Sequence, residues 1–178
     1  MKKEVNQKAE LRKQHQKKKK TLSDCRFKRW IGIDPGKSGG LTVITEDEMR
    51  AYKCPDTANK MATLFGIALN GDAPVDVHLC IEQVWARPNN PPMRAFNYGI
   101  NYGLWFGIAA AYEVEVNIVS PQKWMSYVGC PKGMEVNPRK NWLKEKAKEL
   151  YPDFSKITLS TADSILIARY GQEITTNS

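Results

Sequence analysis

The chain has 178 residues, 42% of them apolar and 26% charged. That composition suits one folded domain able to bury a core without cross-links, and it excludes both a wholly disordered chain and a disulfide-stapled miniature. The net charge of +8 is unevenly spread, and its distribution is more informative than its size. Cys25, Cys54, Cys80 and Cys130 are scattered, with no pair at metal-binding spacing, so they read as reduced thiols rather than zinc ligands or a disulfide framework. The first residues lack the apolar stretch of a secretion signal, and the expected location is the cytoplasm of a bacterium or a phage-infected cell, with an organelle left open.

Residues 1–30 hold 12 Lys/Arg against 3 Asp/Glu, which leaves 15 basic and 16 acidic residues for the remainder. The body is close to neutral and the tail is a polycation. Residues 1–26 are expected to be a disordered tail, because within residues 1–20 only Val5 and Leu11 are large and aliphatic. Its run Lys17, Lys18, Lys19, Lys20 suits a phosphate backbone; a solvated tail, a localisation signal and a membrane-surface contact are the other readings.

Apolar runs at 30–34, 41–45 and 50–54, each closed by turn residues, predict three strands in a meander. The first ends in IGIDPGKSGG. A carboxylate at a strand end, Asp34, is held rigidly by its sheet, and Gly36, Gly39 and Gly40 remove side chains that would block a phosphate. A helix over 57–70 follows, capped by Asp56 or Thr57. Residues 75–84 alternate with period two, Val77, Leu79 and Ile81 facing one way and His78, Cys80 and Glu82 the other. His78 lies about 13 Å along the strand from Glu82, too far to share an ion, and reads as a packed or capped histidine.

A long helix over 93–112 carries Gly99, Gly103, Gly107 and Ala111 at four-residue spacing. A helical glycine costs about 1 kcal/mol relative to alanine, so this stripe predicts a close approach by the sheet or by a second subunit. The helix is no membrane span, since its apolar part after Asn101 is far shorter than the roughly 20 residues required. A strand over 114–119 and helices over 121–127, 138–150 and 159–170 complete the domain, which is expected to span 27–172 with a short tail over 173–178. Asp163, in STADSILIARYG, opens the apolar part of the last helix.

The segments IGIDPG, IEQVW, SPQKW and ADSILIA, in this order of elements, resemble the RuvC family of Holliday junction resolvases, above all its phage-type members. The resemblance runs from about residue 30 to 171. It implies an α/β ribonuclease H-like fold, with a mixed five-stranded sheet flanked by helices and the basic tail outside it. It also implies a homodimeric, metal-dependent endonuclease that cuts paired strands of a four-way or related branched DNA symmetrically, leaving 5′-phosphates, and that acts in DNA recombination and repair.

Matched position by position, Asp34, Glu82 and Asp163 correspond to the family's metal-binding carboxylates, which implies Mg²⁺ or Mn²⁺, with two ions per site. Hard divalent ions prefer oxygen ligands, and phosphodiester hydrolysis needs both a nucleophilic water and a stabilised leaving oxygen. The family usually places another Asp or His one helical turn before the final aspartate; here that residue is Ser160, a weaker neutral ligand or a helix cap, with Asp153 as an alternative source of charge. Trp85 falls where the family carries an aromatic inserted into the junction, core packing being the competing role. Lys123, Lys132, Arg139 and Lys140 match loosely the basic positions flanking the family's cleft.

Of three other functions, two fail and one remains as a rival. Gly36-Lys37-Ser38 is not a P-loop, because Ile31 stands where GxxxxGK[ST] needs its first glycine. An actin-like or sugar kinase needs two such domains and a second phosphate motif, for which 178 residues leave no room. A non-catalytic or weakly active protein that binds branched DNA is the rival left standing, because of Ser160.

Overall fold

In a computed structural model, residues 27–69, 75–85 and 91–176 are described; the basic tail, with Lys17 to Lys20, lies outside them. The elements are β1 (Phe27–Asp34), β2 (Gly40–Ile44), β3 (Met49–Lys53), α1 (Ala58–Leu69), β4 (Val75–Glu82), α2 (Pro92–Ala111), β5 (Val116–Val119), α3 (Pro121–Tyr127), α4 (Val136–Leu150) and α5 (Ala162–Thr176). The strands form one sheet in the order β3-β2-β1-β4-β5. The meander pairs antiparallel, whereas β1 with β4 and β4 with β5 pair parallel, as expected when a helix connects the strands.

Alternation along β1 and β4 sorts the core into two faces. Ile31, Ile33, Leu79 and Ile81 face α1 and α2, meeting Met61, Phe65, Trp105 and Ala109. On the other face, Cys80, Ile165, Leu166, Trp124 and Leu143 join β4 to α5, α3 and α4. Helix α5 lies nearly on the sheet backbone: a Cβ at Gly32 would collide with the backbone of Ser164 and Ala168. The buried hydroxyls of Thr42 and Ser164 satisfy each other at 2.8 Å across this contact.

Three expectations for α2 and α5 change. Helix α5 begins at Ala162 rather than 159, because Thr158 and Thr161 hold a turn through Thr158 N–H to Thr161 Oγ1 at 2.9 Å and Ser160 N–H to Thr158 Oγ1 at 3.2 Å. It then continues to Thr176, so residues 173–176 are its last turn. The glycine stripe of α2 is not covered by the sheet, since a Cβ at Gly99, Gly103 or Gly107 meets nothing within 4 Å. No helix among the described residues is long and apolar enough to cross a membrane.

Candidate active site

Strands β1 and β4 are parallel neighbours with Ile33 opposite Ile81, so Asp34 and Glu82 are the adjacent last residues of two central strands. Both continue the face that carries Gly32 and Cys80, the face onto which α5 packs, and Asp163 lies in the first turn of α5. The close approach of α5 to Gly32 therefore brings a third carboxylate to the other two. The turn after Asp34 is anchored from the opposite side. Gly36 (φ 119°) donates its N–H to Asn101 Oδ1 of α2 at 2.7 Å, and Tyr98 lies where a Cβ on Gly36 would project.

The three carboxyls sense one another. Asp34 is only 9% exposed, and burial, followed by the charges of Glu82 and Asp163, raises its pKa well above the usual range. Burial also raises Glu82, with the charge of Asp163 adding to it, while hydrogen bonds from Asp34 and Trp124 pull the other way. Both carboxyls of the pair are thus raised by burial, Asp34 with the charges of Glu82 and Asp163 adding to it. Asp163 is raised by burial, with Lys140 and then Arg139 opposing.

Among the described residues, no three His, Cys, Asp or Glu side chains form a ready-made ion cage. The donor set nonetheless fits a hard divalent cation. Three desolvated, mutually repelling carboxylates are an all-oxygen set whose repulsion such an ion relieves. Among the described residues, burial raises the thiols of Cys54, Cys130 and Cys80, the last to about 11, which disfavours their thiolate forms as ligands.

The basic candidates divide. Arg139 and Lys140 lie half-buried one turn before Leu143, on the stripe of α4 that continues through Leu143 and Ala147 into the core, and their charges reach the carboxylates. Lys123 and Lys132 are exposed on α3 and on the turn before α4. Trp85 is 47% exposed, so it is not a core residue. His78 is packed, stacked on Trp30 with ring centroids 6.2 Å apart and its Nε2 3.1 Å from Asp76.

Ser160 is in the turn before α5, so its spacing from Asp163 is not that of one helix face. Nor does Asp153 compensate. It borders a cavity with Asp47 and Met49 beside the β2–β3 turn, at the opposite end of β2 from Gly40, the residue paired with Asp34. Trp124, Asn101 and Tyr98 were not singled out from sequence. Trp124 donates from Nε1 to Glu82 Oε1 at 3.2 Å, and the one signal for such a partner was an aromatic within SPQKW.

No family model matches the chain, and no curated protein matches it. Solved structures do. Thermus thermophilus RuvC in complex with a Holliday junction substrate is 14% identical, with a TM-score of 0.54 over 85% of this chain and 95% of that one. A second Thermus thermophilus RuvC structure is 15% identical, with a TM-score of 0.52 over 84% of this chain and 96% of that one. The sheet order, the flanking helices and these two likenesses together give the chain a RuvC-like, ribonuclease H-like fold.

Proposed function

We propose that the chain is a metal-dependent endonuclease that cuts four-way or otherwise branched DNA by phosphodiester hydrolysis. The observation that carries this reading is the convergence of Asp34, Glu82 and Asp163 from the ends of β1, β4 and α5, in a fold shared with a protein solved on a Holliday junction. These three carboxylates would hold Mg²⁺ or Mn²⁺, two ions per site in the full form of the proposal. Bound there, such ions supply an activated water and stabilise the leaving oxygen. Asp34 and Glu82 would offer their oxygens from two neighbouring strand ends and Asp163 from the start of α5. Arg139 and Lys140 offset the charge of an incoming phosphate, with Lys123 and Lys132 as outlying contacts. Trp85, exposed three residues beyond Glu82, stacks on an unpaired base. Lys17 to Lys20 add attraction that is independent of sequence.

Paired cuts need two sites and the described residues of one chain bring together one carboxylate trio, so a second copy completes the enzyme. Helix α2 offers the surface. Met93 and Phe96 are 69% and 66% exposed and lead into an apolar groove lined by Ile100, Gly103, Leu104, Gly107, Ile108 and Ala111. Arg94 is the single charged residue of this helix, so two copies meet without repulsion along it.

A second reading, branched-DNA binding without cleavage, is favoured by Ser160 standing where the family has a further acid. Incubation with synthetic four-way junction, fork and linear duplex, with and without Mg²⁺, separates the two. Cleavage confined to branched DNA with Mg²⁺ is expected. Tight junction binding with no cleavage at any Mg²⁺ or Mn²⁺ concentration would leave only the binding role.

A further inference from the structure

Resting on the metal-site reading above, we propose that Trp124 is a positioning residue for Glu82: its indole N–H holds one carboxylate oxygen and leaves the other to face a divalent ion. The hydrogen bond from Trp124 Nε1 to Glu82 Oε1 is 3.2 Å long. Its donor cannot wander, because Trp124 is 1% exposed and sits in the core with Val119, Leu143 and Ile165. The acceptor, by contrast, is a long side chain at a strand end whose other side-chain partner is the Asp34 carboxyl, itself one of the groups that would face the ion.

Backbone and side chain of Glu82 are secured by one short stretch of chain. Glu82 is in register with Val119, and Gln83 donates its N–H to the Val119 carbonyl at 2.8 Å. Immediately after Val119, the Ser120 hydroxyl accepts the N–H of Lys123 at 3.4 Å, Pro121 fixes the first residue of α3, and this helix delivers the Trp124 ring. The β5–α3 junction therefore positions strand end and carboxylate together, and the ordering of Glu82 is completed on folding rather than at ion binding. A neutral donor suits the task. A lysine or arginine at the same place would add a positive charge that competes with the ion, whereas an indole N–H orients the carboxylate and leaves its charge in place.

The test is calorimetric titration of Mn²⁺ into the DNA-free protein, alongside the Mn²⁺ dependence of junction cleavage. Trp124→Phe removes the donor but leaves a gap in the core; replacement of Trp124 by 3-benzothienylalanine exchanges N–H for sulfur at nearly constant volume. Both should weaken Mn²⁺ binding about tenfold. Half-saturating Mn²⁺ for cleavage should rise by the same factor, with excess Mn²⁺ recovering most of the rate. Unchanged Mn²⁺ affinity in the benzothienyl protein, beside a wild type that binds Mn²⁺, overturns the role of Trp124 alone. A wild type that takes up no Mn²⁺ overturns the metal-site reading and this inference together. A loss of rate that excess Mn²⁺ does not recover, at unchanged affinity, assigns Trp124 to packing and also overturns the proposal.

Discussion

Asp34 is costly to the ion-free fold. Its ordinary pKa is 3.8, and the folded environment raises it, first by burial and then by the charges of Glu82 and Asp163. An acid whose folded pKa lies above its unfolded one contributes stability that is full below the unfolded value and is lost as pH rises through the folded value, about 1.4 kcal/mol for each unit of difference. Glu82 and Asp163 shift in the same direction. Urea midpoints in chelator should thus fall from pH 4 toward pH 8, Asp34→Asn should flatten that fall, and Mg²⁺ should restore the wild type but not the variant. An identical pH slope in Asp34→Asn would show that the shift is not felt. Asp34→Asn, Glu82→Gln and Asp163→Asn should each abolish cleavage while leaving junction binding intact, because phosphate contacts lie elsewhere. Near-normal cleavage by any one at saturating Mg²⁺ removes it from the ligand set. Trp85 makes the opposite case: being half exposed, Trp85→Ala should change folding stability by less than about 0.5 kcal/mol. It should still lose about 1 to 3 kcal/mol of stacking on DNA, read as weaker opening of a fluorescent-base junction.

Strand β1 and helix α2 carry opposite kinds of glycine. At Gly32, under α5, a methyl group would strike the backbone of Ser164 and Ala168, so Gly32→Ala should cost about 2 to 3 kcal/mol in urea denaturation and weaken ion binding by shifting Asp163. On α2, a Cβ at Gly103 meets open space. Gly103→Leu should therefore gain about 1 kcal/mol of helix propensity in the single chain. It should also fill the groove and shift the sedimentation profile toward the monomer, whereas an unaltered dimer would place the subunit contact elsewhere. The elements themselves were readable from alternation and turn residues; their ends were set by contacts that local patterns do not encode. Residues 114 and 115 do not join β5 because Glu113 adopts φ 55° and Val114 bonds back to Ala109, using them to leave α2. Asp34, Glu82 and Asp163 were visible because each interrupts an apolar run at its edge. Trp124 and Asn101 were not, because their partners Glu82 and Gly36 lie far off in sequence and meet them only once the sheet is assembled.

At the scale of the molecule, charge and chemistry are separated. The body is close to neutral and the first 30 residues hold 12 of the 27 basic side chains. Deleting residues 1–20 should weaken binding to every DNA form alike and reduce the log-log salt slope by about 0.9 for each phosphate no longer neutralised, with junction preference retained. A truncated protein with the full slope would exclude the tail from DNA binding. The seat of α5 on β1 has a further effect, on timing. Asp34 and Glu82 end neighbouring strands and Asp163 comes with α5, so on the proposed reading the site is complete only with the docking of α5 on β1. Because that step pushes a like charge onto two others, refolding in chelator should be slowest at high pH and quicken with either protons or Mg²⁺.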